Sequence, residues 1–126
     1  MIRNPLFNGN LKSFKNKYDF QARQYESNRV LTRYPDRIPI ICEKNDNCNM
    51  QDIDKHKYLA PIDLTCGQFI YIIRKRLKLP SEQAIFLIVN GTIPPSSNYL
   101  AEIYDKNKSE DGFLYITYTS ENVFGI

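Results

Sequence analysis

Three cysteines and one histidine are the residues of this 126-residue chain best suited to nucleophilic or metal chemistry. A thiol beside a histidine base can form a covalent intermediate, and the pair to consider is Cys42 or Cys66 with His56. Cys42, Cys48 and Cys66 lack the paired spacing of metal ligands. Cys42 and Cys66 resemble small buried hydrophobic residues, and His56 lies among surface lysines. The pattern therefore predicts reduced thiols, no catalytic residue, and no metal or other cofactor.

Length and composition predict one folded domain with short tails. The chain is 42% hydrophobic and has nine Tyr and seven Phe, which is unlike a disordered composition. The longest apolar runs, at residues 69–73 and 84–89, are far shorter than the roughly 20 residues of a membrane helix. The N-terminus lacks the apolar stretch of a signal peptide, so we expect a cytoplasmic protein.

The basic residues are concentrated in the N-terminal third. Residues 1–33 hold seven Lys or Arg against two acidic residues, whereas residues 34–126 hold ten against twelve. Such an arm could contact anionic lipid, an acidic protein surface or nucleic acid. Charge does not choose among these partners, but no base-stacking motif accompanies the arm, so nucleic acid is not expected.

The N-terminal third also predicts helices. Residues 1–10 contain Pro5 and Gly9 without periodicity and predict a flexible lead-in. Residues 11–33 predict a helical extension, with a loosely amphipathic helix over residues 19–33 whose apolar positions include Phe20 and Tyr25. Tyr34 and the following proline should end that helix.

Two strands and the main helix follow. Residues 37–44 are β-rich, although Pro39 must face away from a pairing neighbour, and residues 57–60 predict the second strand of a hairpin. Thr65 and Gln68 have the capping-box spacing ahead of an apolar helix. Phe69 and Ile72 widen the apolar arc of this helix, which indicates either a broad core helix or a flank that binds a ligand.

The remaining elements complete a recognisable order. Residues 84–89 form a continuous apolar run and predict a strand in the middle of a sheet. A short helix begins near Pro94, and residues 113–118 predict the last strand. The order β-β-α-β-α-β predicts an α+β fold, the ubiquitin-like β-grasp, with a four-stranded mixed sheet and a main helix, preceded by N-terminal helices. We expect the ubiquitin-like domain to span residues 34–119 and a flexible tail to span residues 120–126.

Several strings along this order resemble the autophagy ubiquitin-like modifiers, the family of GABARAP and microtubule-associated light chain 3, also called the autophagy-related protein 8 family. The resemblance covers roughly residues 18–126, and its strings lie at residues 34–44, 54–61, 63–69, 73–76, 85–90, 93–95, 110–118 and 121–125.

The resemblance implies a fate for the C-terminus. A dedicated cysteine protease would cut after Gly125 and remove Ile126, and ubiquitin-like activating and conjugating enzymes would join Gly125 to phosphatidylethanolamine. A residue without Cβ suits this chemistry, because the main chain can enter a narrow protease slot and the carboxyl group is unhindered. The protein would then move from the cytoplasm to autophagosomal or other organelle membranes through a lipid anchor.

The resemblance also implies a site for extended peptides of receptors and adaptors that carry an aromatic residue, two spacers and an aliphatic residue. The peptide would add a strand to the edge at residues 57–60. The aromatic pocket would be formed by Glu26, Val30, Pro39, Ile41, Lys57, Leu59 and Phe113. The aliphatic pocket would be formed by Tyr58, Ala60, Pro61, Leu64, Phe69 and Ile72, with Phe69 and Ile72 lining this groove rather than the core.

Two further inferences concern the basic residues near the peptide site and the alternative function of the protein. Arg37, Lys55 and Lys57 would pair with acidic residues that flank such peptides. The alternative function is a peptide-binding adaptor, in membrane trafficking or on the cytoskeleton, that is never joined to lipid. The tail separates the two hypotheses, because only a modifier must lose Ile126 and depend on Gly125.

Overall fold

The computed structural model describes residues 13–120, which fold into the predicted order of strands and helices behind two N-terminal helices. The predicted lead-in, together with Gly125 and Ile126, lies outside the described residues. The elements are α1 (Phe14–Lys17), α2 (Phe20–Arg33), β1 (Arg37–Lys44), β2 (Lys57–Pro61), α3 (Cys66–Leu77), β3 (Phe86–Ile88), α4 (Leu100–Asn107) and β4 (Leu114–Thr119).

The four strands form one mixed sheet in the order β2-β1-β4-β3. β1 is antiparallel to β2 and parallel to β4, and β3 is antiparallel to β4. The prediction that residues 84–89 lie in the middle of the sheet is wrong, because β3 is an edge strand. Leu87 is buried, and Phe86 and Ile88 on the other face of β3 are half-buried. Both faces of the strand are therefore at least partly covered, which explains an unbroken run of apolar residues in an edge strand.

Pro39 occupies a position of central strand β1 where its missing N–H is tolerated. The Cys42 N–H donates to the His56 carbonyl over 2.8 Å. In an antiparallel pair every second residue bonds to the neighbouring strand, so Cys42, Ile40 and Ile38 are the residues of β1 that bond to β2. Pro39 pairs with Leu59 at a position between these bonds, so its nitrogen faces away from β2. Pairing with β4 begins one residue later, at Ile40.

Helix α3 covers one face of the sheet and builds the main core. The capping box forms as predicted: the Gln68 N–H donates to Thr65 Oγ1 over 3.2 Å, and the Thr65 N–H donates to Gln68 Oε1 over 2.9 Å. Phe69, Ile73 and Leu77 are buried at i, i+4 and i+8 spacing. The prediction that Phe69 lines a groove rather than the core is therefore wrong, because its side chain is only 1% exposed within the core cluster.

Helix α2 packs on the opposite face of the sheet, where two of its polar side chains bind Asp111. Arg23 Nη1 lies 2.6 Å from the Oδ2 atom of buried Asp111, and the Ser27 hydroxyl donates to the Asp111 carbonyl. Gly112 follows with φ +95°, and a Cβ atom there would lie 2.3 Å from Ser27 Oγ. Ser27 and Val30 are the buried residues of α2. Tyr25 belongs to the apolar positions of the predicted amphipathic pattern, but its side chain is 71% exposed.

Candidate functional site

The outer edge of β2 is open to another strand. Among residues 13–120, β2 pairs only with β1. His56 bonds to β1 through its main chain, so by the antiparallel alternation Lys57 and Leu59 direct their N–H and C=O groups outward. Such an edge can add an extended peptide through main-chain hydrogen bonds.

The two predicted pocket sets lie on opposite faces of this edge. Tyr58 and Ala60 point toward α3 and belong to the core cluster, where the Tyr58 and Phe69 rings meet edge to face at 5.4 Å. Lys57 points the other way and reaches Glu26 on α2. Because successive side chains of a strand alternate, Leu59 shares the α2 face with Lys57.

A cavity of about 380 Å³ lies on the α2 face beside β2, and we call it the aromatic cavity. Glu26 and Lys57 line it as members of the predicted aromatic set. The other members do not line it: Val30, Pro39, Ile41 and Phe113 are buried, and Leu59 is half-buried. The remaining lining residues were missed from the sequence: Phe14, Tyr18, Ala22 and Tyr25.

Helix α1 supplies the wall that the sequence did not predict. The Phe14 ring packs against Tyr18 at 5.0 Å and edge to face on Phe113 at 5.1 Å. The Phe14 N–H donates to the Glu43 carboxylate on β1 over 2.8 Å. Phe14 therefore stands over Phe113. Ser13 caps α1 by accepting from the Asn16 N–H, so α1 begins within the helical extension predicted over residues 11–33, and the capping serine is the local signal for its start.

Glu26 and Lys57 form the polar rim of the aromatic cavity. Lys57 Nζ lies 2.9 Å from Glu26 Oε2. Arg29 holds the same carboxylate with two bonds, from Nε to Oε1 and from Nη2 to Oε2, each of 3.0 Å. The hydrogen bonds from Arg29, and then from Lys57, lower the pKa of Glu26 to about 2. Glu26 therefore stays charged throughout the physiological pH range.

A second cavity, of about 290 Å³, adjoins the start of β2, and we call it the lysine cavity. It shares the walls Phe14 and Tyr18 with the aromatic cavity. Its other lining residues are Lys17, Lys55, His56 and Lys57. Lys55 also lies over the Tyr58 ring, 5.2 Å from its centroid. Arg37, the third predicted partner for acidic residues, is exposed and lines neither cavity.

No member of the predicted aliphatic set lines either cavity, and by strand alternation Pro61 shares the face of Lys57 and Leu59 rather than the α3 face. Tyr58, Ala60 and Phe69 are buried. Pro61 and Leu64 are half-buried and are joined by a hydrogen bond from the Leu64 N–H to the Pro61 carbonyl. Ile72 is the exposed member, at 37%.

The cysteines are placed poorly for nucleophilic chemistry. Cys42, Cys48 and Cys66 are all buried free thiols. Burial raises the pKa of the Cys42 and Cys66 thiols, whereas a nucleophilic thiol needs a lowered pKa.

Within residues 13–120, no helix is long and apolar enough to cross a bilayer.

Comparison with known proteins decides the family. A family model described as "Autophagy protein Atg8 ubiquitin like" matches residues 22–125. The chain belongs to the Atg8 family. The family description names a ubiquitin-like protein of autophagy, not an enzyme.

Individual Atg8 proteins from distant organisms are similar over most of the chain. Autophagy-related protein 8 of Candida albicans is 54% identical over 112 residues, which cover 89% of this chain and 83% of that protein. Autophagy-related protein 8c of Arabidopsis thaliana is 53% identical over 114 residues, covering 90% and 96%. The crystal structure of Trypanosoma brucei ATG8 matches with a TM-score of 0.81 and 47% identity, over 84% of this chain and 91% of that one. The ubiquitin-like fold and the role in autophagy follow from this membership.

Proposed function

We propose that the protein is a non-catalytic ubiquitin-like modifier that binds short peptides of cargo receptors and adaptors while it is joined to phosphatidylethanolamine on autophagosomal or related membranes. Family membership supports the lipid conjugation. A processing cysteine protease would cut after Gly125, and ubiquitin-like activating and conjugating enzymes would transfer the glycine carboxyl group to the lipid amine. The open β2 edge supports the peptide site.

The single observation that carries peptide binding is the division of the site into two faces along β2. In an extended peptide, side chains three positions apart point to opposite faces of the strand. An aromatic residue, two spacers and an aliphatic residue therefore fit an edge with the aromatic cavity on one face and an apolar surface on the other. The peptide main chain would bond to the outward groups of Lys57 and Leu59.

The positions of the two surfaces also give the peptide a direction. The aromatic cavity meets β2 at Lys57, the first residue of the strand, whereas half-buried Leu64 of the predicted aliphatic set lies beyond its last residue, Pro61. A peptide whose aromatic residue comes first would therefore run parallel to β2. Acidic residues before the aromatic residue would then meet the lysine cavity, where Lys55 and Lys57 would attract them.

Backbone-methylated peptides test this arrangement. We expect an aromatic-x-x-aliphatic peptide to bind, and N-methylation of a peptide amide that faces β2 to weaken binding at least tenfold, because a main-chain hydrogen bond is lost. The matched control carries the methyl group on the adjacent amide, which faces away, and should change the affinity by less than about threefold. Calorimetric titration measures both. Equal losses from both methyl groups, or no binding by the unmodified peptide, would contradict the proposal.

A peptide-binding adaptor that is never joined to lipid would use the same β2 edge. The two functions differ only in the fate of Gly125 and Ile126.

A further inference from the structure

Arg29 is tied to the proposed peptide site although it lines neither cavity. It lies on α2 one turn after Glu26, and its guanidinium group grips both oxygens of the Glu26 carboxylate. One of those oxygens, Oε2, is shared with Lys57. Arg29 and Lys57 therefore hold the same carboxylate from two sides, and only Lys57 faces the cavities.

Arg29 and Lys57 differ in the number of hydrogen bonds that they donate to the Glu26 carboxylate. Arg29 makes two parallel bonds in a planar fork, which is the stronger and more directional arrangement. Lys57 makes one bond, from a flexible side chain that is 46% exposed. Lys57 is therefore the partner that can be released at lower cost.

We propose that Arg29 is a positioning residue: it keeps Glu26 paired while Lys57 turns to a carboxylate of the bound peptide, and it thereby sets the preference for an acidic residue beside the peptide's aromatic residue. This inference rests on the proposed peptide-binding function.

The charges explain why the preference should depend on Arg29. Arg29, Glu26 and Lys57 together carry one net positive charge, so the polar rim attracts an incoming carboxylate. Without Arg29 the net charge is zero, and Lys57 can reach the peptide only by leaving the Glu26 carboxylate unpaired beside a second negative charge. The expected change is modest, because these side chains are partly exposed and screened by solvent.

Two peptides and three protein variants test the inference by calorimetric titration. The peptides share one aromatic-x-x-aliphatic core and carry either Glu or Gln immediately before the aromatic residue. The variants are Arg29→Gln, Arg29→Lys and Arg33→Gln. Arg33 is the matched control, because it is a basic residue one turn further along α2 that lies over the Tyr34 ring and has no ion pair with Glu26.

Arg29→Gln should reduce the preference for the Glu peptide over the Gln peptide by about three- to tenfold, mainly by weakening binding of the Glu peptide. Binding of the Gln peptide should change by less than about twofold. Arg29→Lys should restore part of the preference, since it returns the charge without the fork. Arg33→Gln should leave the preference within about twofold of the original protein.

The outcomes separate this inference from the proposed function. An unchanged preference in Arg29→Gln, an equal loss for both peptides, or an equal fall in preference in Arg33→Gln would overturn the role of Arg29 and leave peptide binding intact. Failure of the original protein to bind either peptide would remove both.

Discussion

Buried hydroxyl groups of two tyrosines on the α3 side of the sheet differ in their partners. Tyr118 Oη accepts from the Ile53 N–H over 2.8 Å and donates to the Gln51 carbonyl over 2.7 Å. Tyr58 is only 8% exposed, and among residues 13–120 its hydroxyl has no hydrogen-bond partner. A buried polar group without a partner lowers stability, so removing the hydroxyl should cost stability at Tyr118 but not at Tyr58.

We therefore expect Tyr118→Phe to lower the free energy of unfolding by about 1–3 kcal/mol, because the buried Ile53 N–H loses its acceptor. Tyr58→Phe should leave it unchanged or raise it by up to about 1 kcal/mol. Denaturant titration of both variants measures the difference. A loss of stability in Tyr58→Phe as large as that in Tyr118→Phe would mean that the Tyr58 hydroxyl is satisfied.

Glu26 makes stability depend on pH in a defined window. Its pKa is about 2 in the folded protein, below the ordinary value of 4.5, so its contribution is complete above about pH 4.5 and is lost as the pH falls toward 2. The stability difference between the original protein and Glu26→Gln should be greatest at pH 6–7, at most about 1 kcal/mol because the partners are half-exposed, and should shrink steadily below pH 4.5. Chemical denaturation between pH 3 and 7 measures it. A constant difference over this range would show that the charge of Glu26 contributes nothing.

At the scale of elements, the contact of α2 with the turn before β4 depends on the absence of a side chain. Gly112 has a positive φ, and an added Cβ would meet Ser27 Oγ at 2.3 Å and Ser27 Cβ at 2.9 Å. Gly112→Ala should therefore destabilise the protein by about 2 kcal/mol or more, through both strain and collision. In a Ser27→Gly background the collision is absent and only the strain remains, so the same substitution should cost less. A double-mutant cycle by denaturant unfolding measures this, and equal costs in both backgrounds would contradict the close contact.

Elements with local signals could be predicted from the sequence, and those fixed by distant contacts could not. The capping box of Thr65 and Gln68 identified the start of α3, because both bonds lie within four residues. The edge position of β3 and the burial of Phe69 depend on which strands and side chains pack against them, and periodicity does not contain that information. The wall formed by Phe14 was missed for the same reason, since its partners Glu43 and Phe113 are far away along the chain.

At the scale of the whole molecule, the order of elements and the family strings are enough to predict the ubiquitin-like fold. The family resemblance also predicted that a peptide adds to the edge at β2, and among residues 13–120 that edge is open. The sequence did not show that the aromatic cavity is walled by α1, or that Val30, Pro39, Ile41 and Phe113 lie buried beneath the surface. The polar rim, in contrast, contains Glu26 and Lys57 as members of the predicted aromatic set.

The central claim, that the protein is a lipid-linked modifier, depends on Gly125. The most direct test is the intact mass of the protein's C-terminus in soluble and membrane fractions of its own cells, beside the variants Gly125→Ala and Ile126→Ala. We predict loss of residue 126, with a phospholipid-sized gain only in the membrane fraction, for the original protein and for Ile126→Ala, and no lipid on Gly125→Ala. An unmodified C-terminus that still ends in Ile126 in both fractions of the original protein would contradict the claim and favour the adaptor that is never joined to lipid.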